Sequence, residues 1–204
     1  MKIDSLQVGY IGTNCYILSD GEVCAVIDPG GDAQKIAVAV ENTGCAPKAI
    51  LLTHSHYDHT GAVEELQALW PDVPVYRSSR DAYKDDRRLL QLYPELHDTL
   101  ECDEGDVLQI GSMAISVMAT PGHSKGSLTF RCENSLFCGD TLFAASCGRT
   151  DLAGGDTDEM MASLRRLAKL EGNLDVYPGH MRATFLDRER EYNPYIKQAL
   201  RDAQ

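Results

Sequence analysis

The chain contains 204 residues, of which 43% are hydrophobic, and this is enough to bury a sizeable core. Its formal net charge of −12 argues against nucleic acid or an anionic membrane as the main partner, because phosphate groups are bound by basic patches. We find no linker or low-complexity tract in the sequence and therefore treat residues 1–204 as a single domain. The composition favours a globular enzyme that acts on a small molecule.

The seven cysteines form no C-x-x-C pair, and their odd number does not fit a disulfide framework. We therefore expect reduced thiols, most of them buried, with Cys138 packed inward as a small hydrophobe rather than acting as a nucleophile. The N-terminus lacks the apolar core of a signal peptide, and no apolar run reaches the ~20 residues of a membrane span. These features predict a cytoplasmic protein.

The first half of the chain has the pattern of a β-meander followed by a strand–helix–strand unit. Turn residues separate three short β-rich runs, at 2–8, 15–18 and 23–28. Asp32 is a candidate N-cap for a helix that ends near Gly44. Ile36 and Val40, four residues apart, give this helix an apolar face, and a buried strand over 48–52 follows it.

A further helix and strand come next, and the second half then repeats the arrangement. We expect a helix that is terminated by Pro71. Its inner face carries Val63, Leu66, Leu69 and Trp70. The remaining predicted elements are a strand over 73–76, an exposed helix over 81–92, a hairpin of strands 107–110 and 113–118, a strand pair over 127–131 and 136–138, a helix over 158–170, a strand near 175–177 and a helix over 188–203. Two β-rich halves, each ending in helix, predict two facing sheets with helices outside.

The segment 53–59, directly after the predicted strand 48–52, holds three imidazoles and a carboxylate. Alternation along an extended loop places His54 and His56 on one side, whereas Asp58 and His59 can turn toward a second point. These nitrogen and oxygen ligands suit zinc, manganese or iron, and the segment has no thiolate of the kind found in closed structural zinc sites. The alternative is a histidine-rich surface loop or a set of core histidines, but half of the six histidines of the chain fall in this segment. The pattern favours a catalytic centre for two metal ions.

Two ions need more ligands than this segment provides, and three later residues are candidates. His123, Asp140 and His180 each follow a predicted strand, and each is preceded by a glycine, which lets the backbone approach a crowded centre closely. Taken singly, each could equally be a turn residue or a helix cap. We expect the three together to complete the site.

The order of these motifs resembles that of the metallo-β-lactamase superfamily over nearly the whole chain. The matching segments are T-H-S-H-Y-D-H at 53–59, T-P-G-H-S-K-G-S at 120–127, G-D-T-L-F at 139–143 and Y-P-G-H at 177–180. The resemblance implies an α/β fold, a four-layer αββα sandwich of the metallo-β-lactamase type, with a dinuclear centre at one edge of the two sheets. It also implies a division of the ligands: a first metal held by His54, His56 and His123, a second held by Asp58, His59 and His180, and Asp140 as a bridge.

Within this superfamily the chain is most similar to the short glyoxalase II-like hydrolases, which resemble hydroxyacylglutathione hydrolases. The segments that carry this similarity are N-C-Y-I-L at 14–18, D-P-G-G-D at 28–32, C-G-R-T-D at 147–151 and R-E-Y-N-P at 190–194. Long glyoxalase II proteins have a C-terminal helical domain that helps to bind glutathione. We expect no such additional domain here, because the sequence ends about ten residues after Asn193–Pro194.

The similarity implies hydrolysis of a thioester, such as S-lactoylglutathione or a related acyl-thiol, by hydroxide formed from a water between two divalent ions. Asp58 would ligate and orient that water as the catalytic residue. Zinc is the expected metal, with iron or manganese as alternatives. Arg149 matches a family residue that contacts the glutathione carboxylate, and Lys125 and Arg182 are further candidate contacts for a small anionic substrate.

Other activities stay open at this point. Persulfide dioxygenases of the same superfamily share the C-G-R-T-D stretch and hold one iron through the equivalents of His54, His123 and Asp140, but the second ligand set is complete here and favours a hydrolase. A lactonase or β-lactamase shares H-x-H-x-D-H, and a bridging Asp140 fits a lactonase or thioesterase better. A metal-stabilised interaction module without turnover would need a coordinatively closed site. The sequence does not specify the acyl group, the carrier thiol or the oligomeric state.

Overall fold

In the computed structural model, which describes residues 1–81 and 89–202, the first half of the chain forms a mixed six-stranded sheet. Its strands, in spatial order, are β1 (Lys2–Val8), β2 (Thr13–Ser19), β3 (Val23–Ile27), β4 (Ala46–Leu51), β5 (Val75–Arg77) and β6 (Thr99–Glu101). The strands β1, β2 and β3 pair antiparallel, whereas β3 to β6 run parallel to one another. The predicted meander and the strand–helix–strand unit are confirmed.

The second half forms another six-stranded sheet. In chain order its strands are β7 (Val107–Ile110), β8 (Met113–Ala119), β9 (Leu128–Cys132), β10 (Ser135–Gly139), β13 (Asp175–Pro178) and β14 (Thr184–Phe185), and a small hairpin of β11 (Leu142–Phe143) and β12 (Ser146–Cys147) stands beside it. Both predicted hairpins of this half are present, with β7 antiparallel to β8 and β9 antiparallel to β10. The two-residue strands went unpredicted because they are too short to show any alternation.

Helices cover the outer face of each sheet. They are α1 (Ala33–Thr43), α3 (Val63–Leu69), α4 (Thr157–Ala168), α5 (Leu186–Tyr192) and α6 (Pro194–Arg201), and a one-turn helix, α2 (Tyr57–Thr60), follows the loop after β4. Ile36 of α1 and Leu66 of α3 pack with Val26 of the first sheet in one buried cluster. Leu164 of α4 packs with Leu136 of the second sheet in another.

The two faces of each strand build different layers, because successive side chains of a strand point to opposite sides. In β3, Cys24 and Val26 belong to the helix-facing cluster, whereas Ala25 and Ile27 belong to a cluster that lies between the sheets. Phe130 of the second sheet lies in that same central cluster. The result is the expected four-layer αββα sandwich, and it explains why these strands are apolar on both faces.

The predicted single C-terminal helix over 188–203 is wrong, because the structure has two helices that meet at Asn193. Pro194 occupies the first turn of α6, and a proline disfavours helical backbone in the residue before it. The side chain of Asn193 instead caps α6 by accepting hydrogen bonds from the backbone N–H groups of Tyr195 and Ile196.

Two further details differ from the sequence expectation. Asp32 does precede α1, but its backbone is left-handed (φ 56°) and its carboxylate accepts from the N–H of Gly9 instead of capping the helix. Leu69, expected on the inner face of α3, is exposed because the helix ends at this residue and places it beyond the covered part of the sheet. The expected helix over 81–92 falls largely on residues 82–88, which lie outside the described residues.

Within residues 1–81 and 89–202, none of the helices combines the length and the hydrophobicity that a bilayer span requires.

Candidate metal centre

Four of the seven predicted ligands follow strand β4 of the first sheet. His54 and His56 lie in the loop after β4, and both are buried. Asp58 and His59 belong to the one-turn helix α2, where His59 is buried and the side chain of Asp58 is 12% exposed. The loop thus carries its ligands at the carboxyl end of a buried parallel strand, where open α/β sheets place ligand-binding residues.

The other three predicted ligands follow strands of the second sheet. His123 comes after β8, Asp140 after β10 and His180 after β13. His123 is buried, whereas the side chain of His180 is 23% exposed and faces the opening of the cluster. The structure therefore brings all the predicted ligands together from both sheets.

The ligands form two groups of three, with Asp140 between them. Potential ligand atoms lie within 4.8 Å of one another in the group His54, His56 and His123 and in the group Asp58, His59 and His180. Oδ1 of Asp140 lies 3.5 Å from Nε2 of His59. Its Oδ2 lies 3.5 Å from Nε2 of His123 and 3.6 Å from Nε2 of His180. This carboxylate contacts both groups, as a bridging ligand would.

Hydrogen bonds behind the cluster set the orientation of two histidine rings. Asp28, a buried carboxylate at the end of β3, accepts from Nδ1 of His59 at 2.9 Å and from the hydroxyl of Thr53 at 2.6 Å. The single hydroxyl proton of Thr53 is thereby used, so its oxygen is an acceptor toward Nδ1 of His54, 3.1 Å away. Both rings then keep Nε2 for the cluster, and such fixing of the ring is typical of metal-binding histidines.

His123 is held in the same way. Its Nδ1 donates to the backbone carbonyl of Arg149 at 2.8 Å. Its Nε2 lies 2.9 Å from Nδ1 of His56. Two ring nitrogens this close suit joint coordination of one cation.

The donor set fits metal ions on an independent ground, because several of its buried atoms have no hydrogen-bond partner. Among the described residues these include Nε2 of His54, Nε2 of His59 and Oδ1 of Asp140. A buried polar atom without a partner costs about 1–3 kcal/mol, and proteins seldom leave several together. A divalent cation would satisfy these atoms, and an all-nitrogen and oxygen set suits zinc, iron or manganese.

Burial and neighbouring charges shift the pKa values of the cluster residues in both directions. Burial lowers the pKa of His54 and brings that of His56 to about 3, so both rings are neutral and can donate a lone pair. Burial opposes charge on His59 as well, but the carboxylates of Asp28 and Asp140 outweigh it and raise the pKa of His59. Burial alone would raise the pKa of Asp140, yet the neighbouring His59 lowers it and keeps the carboxylate ionised.

A second buried carboxylate, Asp81, ties two ligand loops together. It accepts from the N–H of Ser55 at 3.1 Å, from the hydroxyl of Ser124 at 2.8 Å and from the N–H of Gly126 at 2.7 Å. Ser55 lies between two ligands of the first group, and Ser124 follows His123. Sequence reasoning missed Asp81, which lies at the start of a charged run, and gave Asp28 no role beyond its place in a family motif.

Two glycines allow backbone to pass directly behind ligands. A Cβ atom on Gly30 would lie 1.7 Å from the carbonyl oxygen of Asp58, and one on Gly148 would lie 1.8 Å from the carbonyl oxygen of Asp140. Any side chain at either position would displace a ligand.

The three predicted substrate contacts are all exposed. Lys125 lies on the His123 loop and Arg182 on the His180 loop. Arg149, whose side chain is 61% exposed, forms a two-bond ion pair with Asp151 at 2.7 and 2.6 Å. The structure does not show these side chains in contact with a substrate, and their role stays a prediction.

The cysteines offer no competing nucleophile. All seven are free thiols, and six of them are buried. Burial raises the pKa of Cys138 to about 12 and that of Cys147 to about 11, so neither forms the reactive thiolate at neutral pH. The expectation of reduced, mostly buried thiols is confirmed.

Two facing sheets with a histidine and aspartate cluster at their strand ends define the class of protein. The chain belongs to the metallo-beta-lactamase superfamily, whose family model matches residues 8–180.

Among the relatives, the "Probable metallo-hydrolase YqgX" of Bacillus subtilis is 34% identical over 208 residues, which cover 96% of this chain and 98% of that protein. A hydroxyacylglutathione hydrolase of Yersinia pestis is 39% identical over 171 residues, which cover 83% of this chain but 61% of that enzyme. These similarities indicate a metallo-hydrolase.

Solved structures give the same class. A crystal structure of the BLEG-1 B3 metallo-beta-lactamase superposes with a TM-score of 0.85 at 34% identity, covering 96% of this chain and 99% of that one. The structure of TTHA1623 in a di-iron-bound form superposes with a TM-score of 0.82 at 35% identity, covering 94% of this chain and 99% of that one. At least one solved structure of this fold therefore holds two iron ions.

Proposed function

We propose that the protein is a dinuclear metal-dependent thioesterase of the glyoxalase II type. The observation that carries the proposal is the arrangement of seven nitrogen and oxygen ligands in two groups that share Asp140. His54, His56 and His123 would hold the first ion, and Asp58, His59 and His180 would hold the second. The similarity to hydroxyacylglutathione hydrolases over 83% of the chain supports the thioester as substrate.

When bound, two divalent ions supply an acidified water and a Lewis acid for the substrate carbonyl. The residues of the chain place the reacting groups. Asp58 is the catalytic residue that orients the attacking water, and its Oδ2 accepts a hydrogen bond from the hydroxyl of Thr13 at 3.2 Å. Cleavage of the C–S bond adds the elements of water and yields a carboxylic acid and a thiol.

Arg149, Lys125 and Arg182 would attract an anionic carrier thiol to the cluster. Asp151 neutralises part of this charge through its ion pair with Arg149. Arg149→Ala should therefore mainly raise KM for an anionic thioester, and Asp151→Asn, which frees the guanidinium, should lower it. An unchanged KM in both variants would remove Arg149 from the substrate site.

The proposal is tested by a thioester panel that includes S-lactoylglutathione, assayed on protein of known zinc, iron and manganese content. His56→Ala should abolish hydrolysis and leave cooperative unfolding intact, because it removes a ligand but little of the core. Full turnover by this variant would contradict the assignment of the first metal group.

A β-lactamase or lactonase is the second candidate, and the superposition with a B3 metallo-beta-lactamase favours keeping it. The two are separated by assaying the same metal-loaded preparation with a carbapenem, a simple lactone and the thioester panel. Preferred cleavage of the β-lactam would replace the thioesterase proposal. We also propose a cytoplasmic location, which the seven free thiols support because a reducing compartment preserves them.

A further inference from the structure

We propose that Glu189 and Asn193, on the far side of the hairpin β11–β12, are positioning residues for the metal ligand His123. They act through the backbone of that hairpin and the two residues after it, Gly148 and Arg149. The proposal requires that the cluster binds a metal ion and does not depend on which substrate the protein cleaves. It gives a role to Asn193 of the C-terminal R-E-Y-N-P segment and to Glu189, which directly precedes that segment.

The first step is the set of hydrogen bonds by which Asn193 and Glu189 hold the hairpin. Nδ2 of Asn193 donates to the carbonyl oxygens of Phe143 and Ser146, at 3.2 and 2.9 Å, and these are paired residues of β11 and β12. Oε2 of Glu189 accepts from the N–H of Ala145 at 2.7 Å. Ala145 has a left-handed backbone (φ 58°), an unfavourable conformation for a residue with a side chain that the surroundings must maintain.

Asn193 and Glu189 also contact each other, so that their hydrogen bonds form one connected network. Both side chains are fully buried, and Nδ2 of Asn193 also lies 3.0 Å from Oε2 of Glu189, so its two N–H groups are shared among three acceptors. The other carboxylate oxygen of Glu189 accepts from the hydroxyl of Thr184 and from the guanidinium of Arg188, each at 2.7 Å. Every oxygen of this buried carboxylate thus has a partner, so the pair has one preferred arrangement.

The second step leads from the hairpin to the ligand. Gly148 follows β12 directly and packs so closely on Asp140 that a Cβ atom there would lie 1.8 Å from the carbonyl oxygen of Asp140. The next carbonyl, that of Arg149, accepts from Nδ1 of His123 at 2.8 Å. A shift of the hairpin would move this acceptor, and His123 would lose the bond that keeps its Nε2 directed at the cluster.

Arg190 provides a matched comparison on the same helix. Its guanidinium also donates to backbone carbonyls, those of Ala168 and Gly172 at 2.9 Å, but these lie at the end of α4 and not in the hairpin. Loss of this contact should lower the stability of the fold without changing the hydrogen bond of His123.

The experiment compares Asn193→Ser with Arg190→Met. Serine keeps a good N-cap for α6 but is too short to hold the hairpin carbonyls. In metal-free protein labelled with ¹⁵N-histidine, the His123 Nδ1–H signal, identified by its absence from His123→Gln, should shift or exchange faster in Asn193→Ser only. Zinc affinity, measured by competition with a chelator, should fall about 10-fold in Asn193→Ser, at the lower end of what loss of an orienting partner costs.

Arg190→Met should lose thermal stability and keep both the signal and the affinity. Two results would overturn the proposal. One is an equal loss of zinc affinity in the two variants at matched stability, and the other is wild-type zinc affinity with an unshifted His123 signal in Asn193→Ser. If Asn193→Ser does not fold, Glu189→Gln serves instead, because an amide cannot accept all of the hydrogen bonds that the carboxylate accepts. The same shift and a smaller loss of affinity are expected, and their absence would equally overturn it. Failure of the wild type to bind zinc would contradict the metal centre itself, and the histidine signal would still report on the positioning.

Discussion

At the scale of single residues, the cluster depends on carboxylates that do not belong to the ligand set. Asp28 is buried and accepts three hydrogen bonds, from the N–H and hydroxyl of Thr53 and from Nδ1 of His59. Through them it sets the direction of two ligand rings. Asp28 therefore acts on a bound metal indirectly, because it orients the ligand rings and adds a negative charge behind them.

We predict that Asp28→Asn weakens zinc binding about 10–100-fold, the usual cost of losing a partner that orients a ligand. The amide keeps the shape of the carboxylate but loses the charge and places N–H groups against donors. Asp20→Asn is the control, because Asp20 also accepts several hydrogen bonds, from the N–H groups of Glu22 and Val23 and from the N–H and hydroxyl of Ser112. It lies at the other end of β2, about 20 Å from the cluster. Equal affinity losses in the two variants, by chelator competition, would show a nonspecific effect.

Asp81→Ala should lower the free energy of unfolding of the metal-free protein. It leaves the buried N–H groups of Ser55 and Gly126 without an acceptor, at about 1–3 kcal/mol for each. Urea unfolding followed by circular dichroism measures the loss. A change below about 0.5 kcal/mol, which is ordinary for a surface substitution, would show that water or other groups replace the carboxylate.

At the scale of elements, stability comes from the faces that strands and helices bury. Ile36 of α1 is fully buried against the first sheet, and Val38, two residues on, is 45% exposed. The two side chains have similar chemistry and the same helical backbone. They differ in their surroundings, because Ile36 packs against the sheet and Val38 is exposed to solvent.

Ile36→Ala should therefore cost about 2–5 kcal/mol of unfolding free energy, because it opens a cavity between the helix and the sheet. Val38→Ala should change it by no more than about 0.5 kcal/mol, since alanine is the better helix former and little area is lost. Urea titrations of the two variants test this directly. A similar loss in both would place α1 differently from the structure.

At the scale of the whole molecule, the cluster concentrates buried charge that the metal-free protein balances with protons. The carboxylates of Asp28 and Asp140 raise the pKa of His59, and its hydrogen bond to Asp58 raises the pKa of His180 in spite of burial. These shifts favour the protonated form of both imidazoles in the metal-free protein, and a metal that binds to them replaces their protons. Metal binding and proton release are coupled.

We predict that zinc affinity rises as the pH rises through these raised pKa values and falls below them. The sign for folding is opposite: the protonated histidines stabilise the metal-free fold fully below their ordinary pKa of 6.5, and this contribution is lost as the pH rises through the folded-state pKa. Isothermal titration of zinc in two buffers of different ionisation enthalpy counts the protons released at pH 7. Identical apparent enthalpies would mean that no proton leaves.

The sequence by itself predicted the layer architecture and the candidate ligands, from local patterns together with the resemblance to a known superfamily. Alternation in runs such as 23–28 encodes strands, and His54, His56, Asp58 and His59 stand within one short segment whose donor chemistry is specific. Asp140 and His123 were candidates because each follows a strand and a glycine, and the resemblance to the metallo-β-lactamase superfamily assigned them as ligands. Such signals need no knowledge of distant contacts.

Only the tertiary structure decided what supports those ligands. Asp81, Glu189 and Asn193 are ordinary polar residues in sequence, and they gain their roles from partners 26 to 50 positions away along the chain. The break between α5 and α6 at Asn193–Pro194 and the pairing of Arg149 with Asp151, two residues apart, are by contrast local features that sequence reasoning overlooked. The two groups of a buried long-range hydrogen bond are brought together by the topology of the chain. No local sequence pattern indicates that they will be in contact.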